Sequence, residues 1–164
     1  MSAEDGRMIN INQSAGIEAD MIRKANKEDA KTIAGLAIRM WAGHDLTELT
    51  DEFRELTESG ESVCFLKYVG EKPVAFAQCQ LRHDYVEGTE TSPVGYLEGV
   101  FVREPLRGRG VAKALLETCQ AWAKEMGCAE FASDCELDNE DSLKFHMAMG
   151  FEEANRIICF KKEL

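Results

Sequence analysis

Several things are missing from this chain. Its six cysteines (64, 79, 119, 128, 135 and 159) form no Cys-x-x-Cys pair, which argues against zinc modules and disulfide scaffolds and for reduced, mostly buried thiols. Basic residues are in deficit, 19 against 30 acidic ones for a formal net charge of −11; that speaks against a nucleic-acid partner and for a cationic one. No run reaches the ~18 apolar residues of a membrane span. The N-terminus lacks the basic, apolar, small-residue order of a signal peptide, so a cytoplasmic protein off the membrane is expected. Internal repeats and low-complexity segments are absent. No Gly-Lys-Ser/Thr loop or Gly-x-Gly-x-x-Gly fingerprint occurs, which removes the two commonest nucleotide-binding motifs.

What is present suits one sizeable core: 164 residues, 45% of them hydrophobic. Residues 1–20 are polar and without clear period, and are expected to be a flexible extension before a single domain over residues 21–164. The most informative stretch runs from Tyr96 to Ala123. Leu97, Val100, Phe101 and Val102 make the short apolar run of a strand buried on both faces, while Val111, Leu115, Cys119, Trp122 and Met126 recur at helical spacing. Between them lies Arg107-Gly108-Arg109-Gly110-Val111-Ala112. Its glycines let the backbone curl and a ligand approach, the amides of the first helical turn favour an anion such as a pyrophosphate, and the arginines add positive charge.

The remaining elements follow from period and punctuation. Met21–Ala25 reads as a first strand. Asn26 caps a helix with Asp29 in the capping-box position, carrying Ile33, Leu36, Ala37, Met40 and Trp41 on one face and ending at Gly43. A second, acidic helix spans Thr47 to Ser59, burying Leu49, Phe53 and Leu56. Ser62–Val69 and Pro73–His83, separated by Gly70-Glu71-Lys72, form an antiparallel hairpin. After the polar loop from Asp84 to Pro93 come the central strand and long helix, then a strand at Glu130–Ser133, a helix at Asn139–Met149 closed by Gly150, and one or two strands in Phe151–Lys162. The order predicts an α+β fold, a single mixed, mostly antiparallel sheet with helices on both faces.

Arg107-x-x-Gly110-x-Ala112 after a strand ending Val100-x-Val102 resembles the acetyl-CoA signature of the GCN5-related N-acetyltransferases, and Asn139, Ser142, Phe145, His146 and Gly150-Phe151 resemble that family's later segment. The resemblance covers Met21 to Leu164. It implies acetyl-CoA as cosubstrate, held by Val100, Phe101, Val102, Arg107, Gly108, Arg109, Gly110, Val111 and Ala112, with Asn139 on the pantetheine arm. His146 stands where the family often has a tyrosine serving as general acid, which leaves that role unassigned.

Within the family, Trp41-Ala42-Gly43-His44, Arg82-His83-Asp84-Tyr85-Val86, Ser92-Pro93-Val94, Leu97-Glu98-Gly99 and Ala132-Ser133-Asp134 resemble the aminoglycoside 6′-N-acetyltransferases. That narrower resemblance implies an antibiotic site lined by Trp41, Tyr85, Glu98 and Asp134, and a homodimer, with the alternating segment Arg156–Lys162 crossing between subunits. The residues themselves agree with a polycationic substrate. Asp84, Glu87 and Glu90 share one loop, and Glu130, Asp134, Glu136, Asp138, Glu140 and Asp141 form a stretch without a base. Acids at a helix N-terminus also have an ordinary explanation. Glu98 interrupts an apolar strand and Asp134 directly follows one, positions where a carboxylate is costly without a purpose.

Acetyl transfer requires a neutral amine. A lysine-like amine with pKa near 10.4 is neutral in only about one molecule in 2,500 at pH 7, a deficit of about 4.6 kcal/mol. Glu98 is the expected proton acceptor, with Asp134 sharing that role or orienting the amine; a backbone NH near Phe101 or Val102 would stabilise developing negative charge. Cys135 is expected to be a packing thiol. Two other readings remain open at this stage: a polyamine or protein amine as acceptor, or an acyl-CoA-binding module without catalysis.

Overall fold

A hairpin of β2 (Ser62–Val69) and β3 (Lys72–Arg82) is the middle of the molecule. The computed structural model describes residues 21–164, so the extension expected over residues 1–20 lies outside the described residues. β1 (Met21–Lys24) pairs antiparallel with β2, and β4 (Val94–Val102) antiparallel with β3. β5 (Phe131–Ser133) joins β4 in parallel, completing a five-stranded sheet in the order β1-β2-β3-β4-β5. This is the expected mixed, mostly antiparallel sheet.

Helices cover both faces. α1 (Ala30–Ala37) and α2 (Leu46–Glu58) bury Ile33, Leu36, Leu49 and Phe53 against Leu66, Phe76 and Phe101 of the sheet. On the other face α3 (Val111–Glu125) sets Leu115, Leu116 and Cys119 against Phe65, Ala77, Leu97 and Val102. α4 (Glu140–Ala148) adds Phe145 to the same side. Each large apolar side chain fully withdrawn from water stabilises the fold by roughly 1.5–3 kcal/mol before chain entropy is set against it. Burial pushes the Cys64 thiol up to about 12, and a hydrogen bond with Cys119, together with burial, raises Cys79, so these core thiols are inert at neutral pH.

The structure changes several expectations. The first helix is shorter: a 3₁₀ turn at Lys27–Asp29 leads into α1, and Met40 and Trp41 lie in the turn beyond its end rather than on its face. The capping box is present, with Asn26 Oδ1 accepting from the Glu28 amide and Asp29 Oδ2 accepting from the Asn26 amide. Met126 is exposed just after α3, outside the apolar stripe assigned to it. Cys135 is exposed, not the packing thiol expected. No strand forms in residues 151–164. Ile157, Ile158 and Phe160 have strand propensity, but the segment pairs with no strand among the described residues, and all three side chains are exposed.

One irregularity in β4 matters for function. Gln78 pairs with Gly99 but Cys79 with Leu97, so Glu98 is an extra residue with no partner opposite. Side chains on a strand alternate, and Leu97 and Phe101, four apart, should share a face. Instead Leu97 packs on the α3 side and Phe101 on the α1–α2 side. The bulge at Glu98 inverts the alternation midway along the strand.

Candidate active site

The same stretch is where β4 loses a neighbour. β5 pairs with Gly95, Tyr96 and Leu97 and then ends at Ser133, so from Glu98 to Val102 the strand is bonded only to β3. The backbone of Val100, Phe101 and Val102 therefore presents an edge that no strand of the described residues covers, as an extended ligand arm requires.

Beyond Val102 the chain passes a 3₁₀ turn at Glu104–Leu106 and reaches the glycine turn. Gly108 and Gly110 have φ of 72° and 80°, a region that disfavours any other residue. A Cβ built on either would meet nothing within 4 Å, so the turn stands open. Gly110 caps α3 without a side-chain acceptor, and the first bond of the helix is Ala114 N to Gly110 O. The amides of Val111, Ala112 and Lys113 are thus left for an anion. Arg109 is exposed and has no partner among the described residues, whereas Arg107 folds back, donating Nε to the Val102 carbonyl at 2.9 Å with its guanidinium 5.9 Å from the Phe101 ring. Arg107 therefore anchors the turn to the end of β4. Asn139 caps α4, its Oδ1 accepting from the Ser142 amide at 3.0 Å, and its side-chain nitrogen has no partner among the described residues. These residues fit acetyl-CoA: an uncovered strand edge, an open glycine turn and uncapped amides.

The acceptor side centres on Tyr96, which is buried. Its hydroxyl donates to Asp134 Oδ1, tying β4 to the residue that follows β5. Arg82, at the end of β3, lies with its guanidinium carbon 3.4 Å from the Tyr96 ring centroid. From there it donates Nε to Glu98 Oε1 at 3.1 Å and Nη2 to Oε1 and Oε2 at 2.9 and 3.0 Å. Burial raises the Glu98 carboxyl above its ordinary range; Arg82 opposes that rise and Asp134 adds to it. Burial, with the Asp134 hydrogen bond, likewise raises the Tyr96 hydroxyl, which keeps it a donor.

Trp41 reaches the same place from the α1 side. Its ring stacks on Phe53, centroids 6.1 Å apart, and packs so closely on β4 that a Cβ at Gly99 would come within 3.1 Å of it. It is half core and half open, beside the bulge. Tyr85 is placed differently: it is 80% exposed and donates to Glu87 at 3.1 Å, touching none of Trp41, Glu98 or Asp134. Only its neighbour Val86, packed with Val94 and Tyr96, links that loop to the site.

Arg82 and Tyr96 belong to the site although the sequence pattern does not single them out. A carboxylate inside an apolar strand needs a cation nearby, which would have pointed to Arg82 as the arginine ending the adjacent strand. Tyr96 carried no such signal, since a strand tyrosine reads as core.

An uncapped glycine turn beside a strand that parts from its parallel neighbour, on a mixed sheet with helices on both faces, defines an acyl-CoA-dependent transferase of the N-acetyltransferase type. Residues 30–151 match the model of the Acetyltransferase (GNAT) family, and the chain belongs to that family. It is 41% identical over 150 residues to an aminoglycoside N(6′)-acetyltransferase type 1 of Stenotrophomonas maltophilia, covering 89% of this chain and 95% of that protein. The corresponding enzyme of Salmonella enteritidis is 40% identical over 86% of this chain and 97% of its own length. Among solved structures, the aminoglycoside N-acetyltransferase AAC(6′)-Iy in complex with CoA superposes with a TM-score of 0.85 at 37% identity, covering 89% and 96% of the two chains. The same enzyme with the bisubstrate analogue CoA-S-monomethyl-acetylneamine gives a TM-score of 0.84.

Proposed function

We propose that this protein transfers the acetyl group of acetyl-CoA to the 6′-amino group of aminoglycoside antibiotics by direct attack of the amine, and so confers resistance. The observation that carries the reading is the meeting of Glu98 and Asp134 around Tyr96 where β4 and β5 separate, on the strand that leads into the open turn before α3. Acetyl-CoA supplies an activated thioester when bound. The amides of Val111 to Lys113, with Arg109 beside them, would take its pyrophosphate, the free edge of Val100 to Val102 its extended arm, and the Asn139 amide nitrogen a carbonyl of that arm. Trp41 offers an aromatic wall to a sugar ring, and Tyr85 stands at the outer rim. The two carboxylates attract the ammonium, and a carboxylate of this pair receives its proton. Relatives named for this activity support the acceptor, as does a net charge of −11 that suits a polycation and repels nucleic acid.

The protein acts in the cytoplasm, a reading supported by its six free cysteines; among the described residues no helix is long and apolar enough to cross a membrane. It works as a homodimer, supported by the apolar segment around Ile157, Ile158 and Phe160, which the described residues leave exposed.

The test is turnover of kanamycin, spermidine and a lysine peptide with acetyl-CoA. Kanamycin is expected to be preferred by at least ~10²-fold in kcat/KM. Preference for spermidine or the peptide would replace the acceptor, and CoA binding without turnover of any amine would make the protein a binding module.

A further inference from the structure

We infer that Arg82 is a positioning residue of the acceptor site: clamped between the Tyr96 ring and Glu98, it holds Glu98 as a fixed anion with both oxygens engaged, and leaves Asp134 as the carboxylate with an oxygen open to the amine. This rests on the reading of the site as one that binds an amine.

Geometry carries the division of labour. Three donations from Arg82 occupy both oxygens of Glu98, and the Glu98 side chain is only 19% exposed. Asp134 is exposed and takes one hydrogen bond, at Oδ1 from Tyr96, with no partner for Oδ2 among the described residues. A planar guanidinium is suited to this double duty, stacking on an aromatic face while forking onto a carboxylate, and a lysine is not. The groups facing Glu98 are Arg82 and the Cys79 thiol on β3, Tyr96 on its own strand and Asp134 after β5. Arg82 is the cation of this set. With it, the cluster of Arg82, Glu98 and Asp134 carries one net negative charge, matched to one ammonium; without it, two carboxylates stand together and one is driven to take a proton.

The balance of the proton step is simple. The substrate N–H bond breaks, its electron pair stays on nitrogen, and the proton passes to the Asp134 oxygen that Tyr96 does not hold. Glu98 remains an anion throughout and contributes attraction rather than proton transfer.

The direct experiment is a ¹³C NMR titration of the Glu98 side-chain carboxyl, assigned by comparison with Glu98→Gln, in the substrate-free protein. In Arg82→Gln the Glu98 midpoint is expected to rise by about one pH unit or more over wild type, with Arg82→Lys in between. The acidic limb of kcat/KM for kanamycin should move up by a similar amount in Arg82→Gln, and that shift should vanish when Glu98→Gln is added. Unchanged midpoints in both Arg82 variants would overturn the proposal, as would an acidic limb that does not move. If circular dichroism shows that Arg82→Gln does not fold, Arg82→Lys carries the same two measurements under the same criteria. Asp134→Asn is expected to lower kcat by ~10²–10⁴ while Glu98→Gln acts mainly on KM; the reverse split would overturn the assignment of the open oxygen. The carboxyl titration needs no substrate, so it separates an error about Arg82 from an error about the acceptor, which wild-type turnover alone decides.

Discussion

Ser133 donates its hydroxyl to the carbonyl of Leu97 across 3.0 Å, at the last pair of residues joining β4 to β5. The same hydroxyl lies 2.9 Å from Nε2 of His146, whose Nδ1 is 2.7 Å from the Ser142 carbonyl. A carbonyl only accepts, so Nδ1 carries the proton of that bond. His146 is thus braced between α4 and the tip of β5. Ser133→Ala removes the tie where the strands diverge and is expected to cost ~1–2 kcal/mol in urea unfolding, with weaker CoA binding by calorimetry. Unaltered values of both would mean that β4 and β5 hold their fork without it.

Far from the site, Asp29 completes the first helical turn. It accepts from Arg23 Nη1 and Nη2 at 2.8 and 2.6 Å and from the Asn26 amide at 2.9 Å. The Arg23 hydrogen bonds hold its carboxyl below the usual carboxylate range against the opposing effect of burial. A depressed folded-state pKa means that this stabilisation is complete above the unfolded value near ~3.9 and is lost as pH falls through the folded value. Asp29→Asn is therefore expected to lower stability by ~1–3 kcal/mol at pH 7. Thermal melts should show the gap to wild type closing below about pH 4. A gap that stays constant in acid would assign the effect to packing instead of charge.

How far the chain could be read as text varies from element to element, for physical reasons. The β2–β3 hairpin, the capping box at Asn26 and the uncapped glycine turn are local, set by residues a few positions apart, and they appear where the pattern put them. The bulge at Glu98 is not local. It depends on how β4 registers against β3, and nothing in Leu97-Glu98-Gly99 alone distinguishes an inserted residue from an ordinary strand carboxylate. The Arg82–Glu98 pair, 16 residues apart, and the Tyr96–Asp134 bond, 38 apart, inherit that dependence. The terminal segment differs for another reason: its composition is that of a strand, but a strand needs a partner and the described residues offer it none.

Gly110 gives a sharper test of the anion site than its arginines, because Arg107 is also structural. Its φ of 80° makes any side chain costly, by about 1–2 kcal/mol, so Gly110→Ala measures backbone strain alone. Gly110→Asp adds a carboxylate at the amides that would receive a pyrophosphate. Calorimetry is expected to show CoA binding weakened modestly in the first and lost in the second, with circular dichroism unchanged. Equal affinity in the two variants would remove the turn as the pyrophosphate site.

The apolar tail bears on assembly. Ile157, Ile158 and Phe160 are exposed by 67, 80 and 90%, consecutive enough to form an apolar patch of the kind that soluble chains cover by pairing. If a second copy supplies the missing strand partner, as the proposed homodimer requires, the cover is removed by charge at these positions. Ile158→Asp combined with Phe160→Asp is expected to convert a dimer to a monomer by light scattering at micromolar concentration. Its CoA affinity should be retained, since the glycine turn and the free edge of β4 lie within one chain. A wild-type protein that is already monomeric would remove the dimer, and a double variant that remains dimeric would move the interface to another surface.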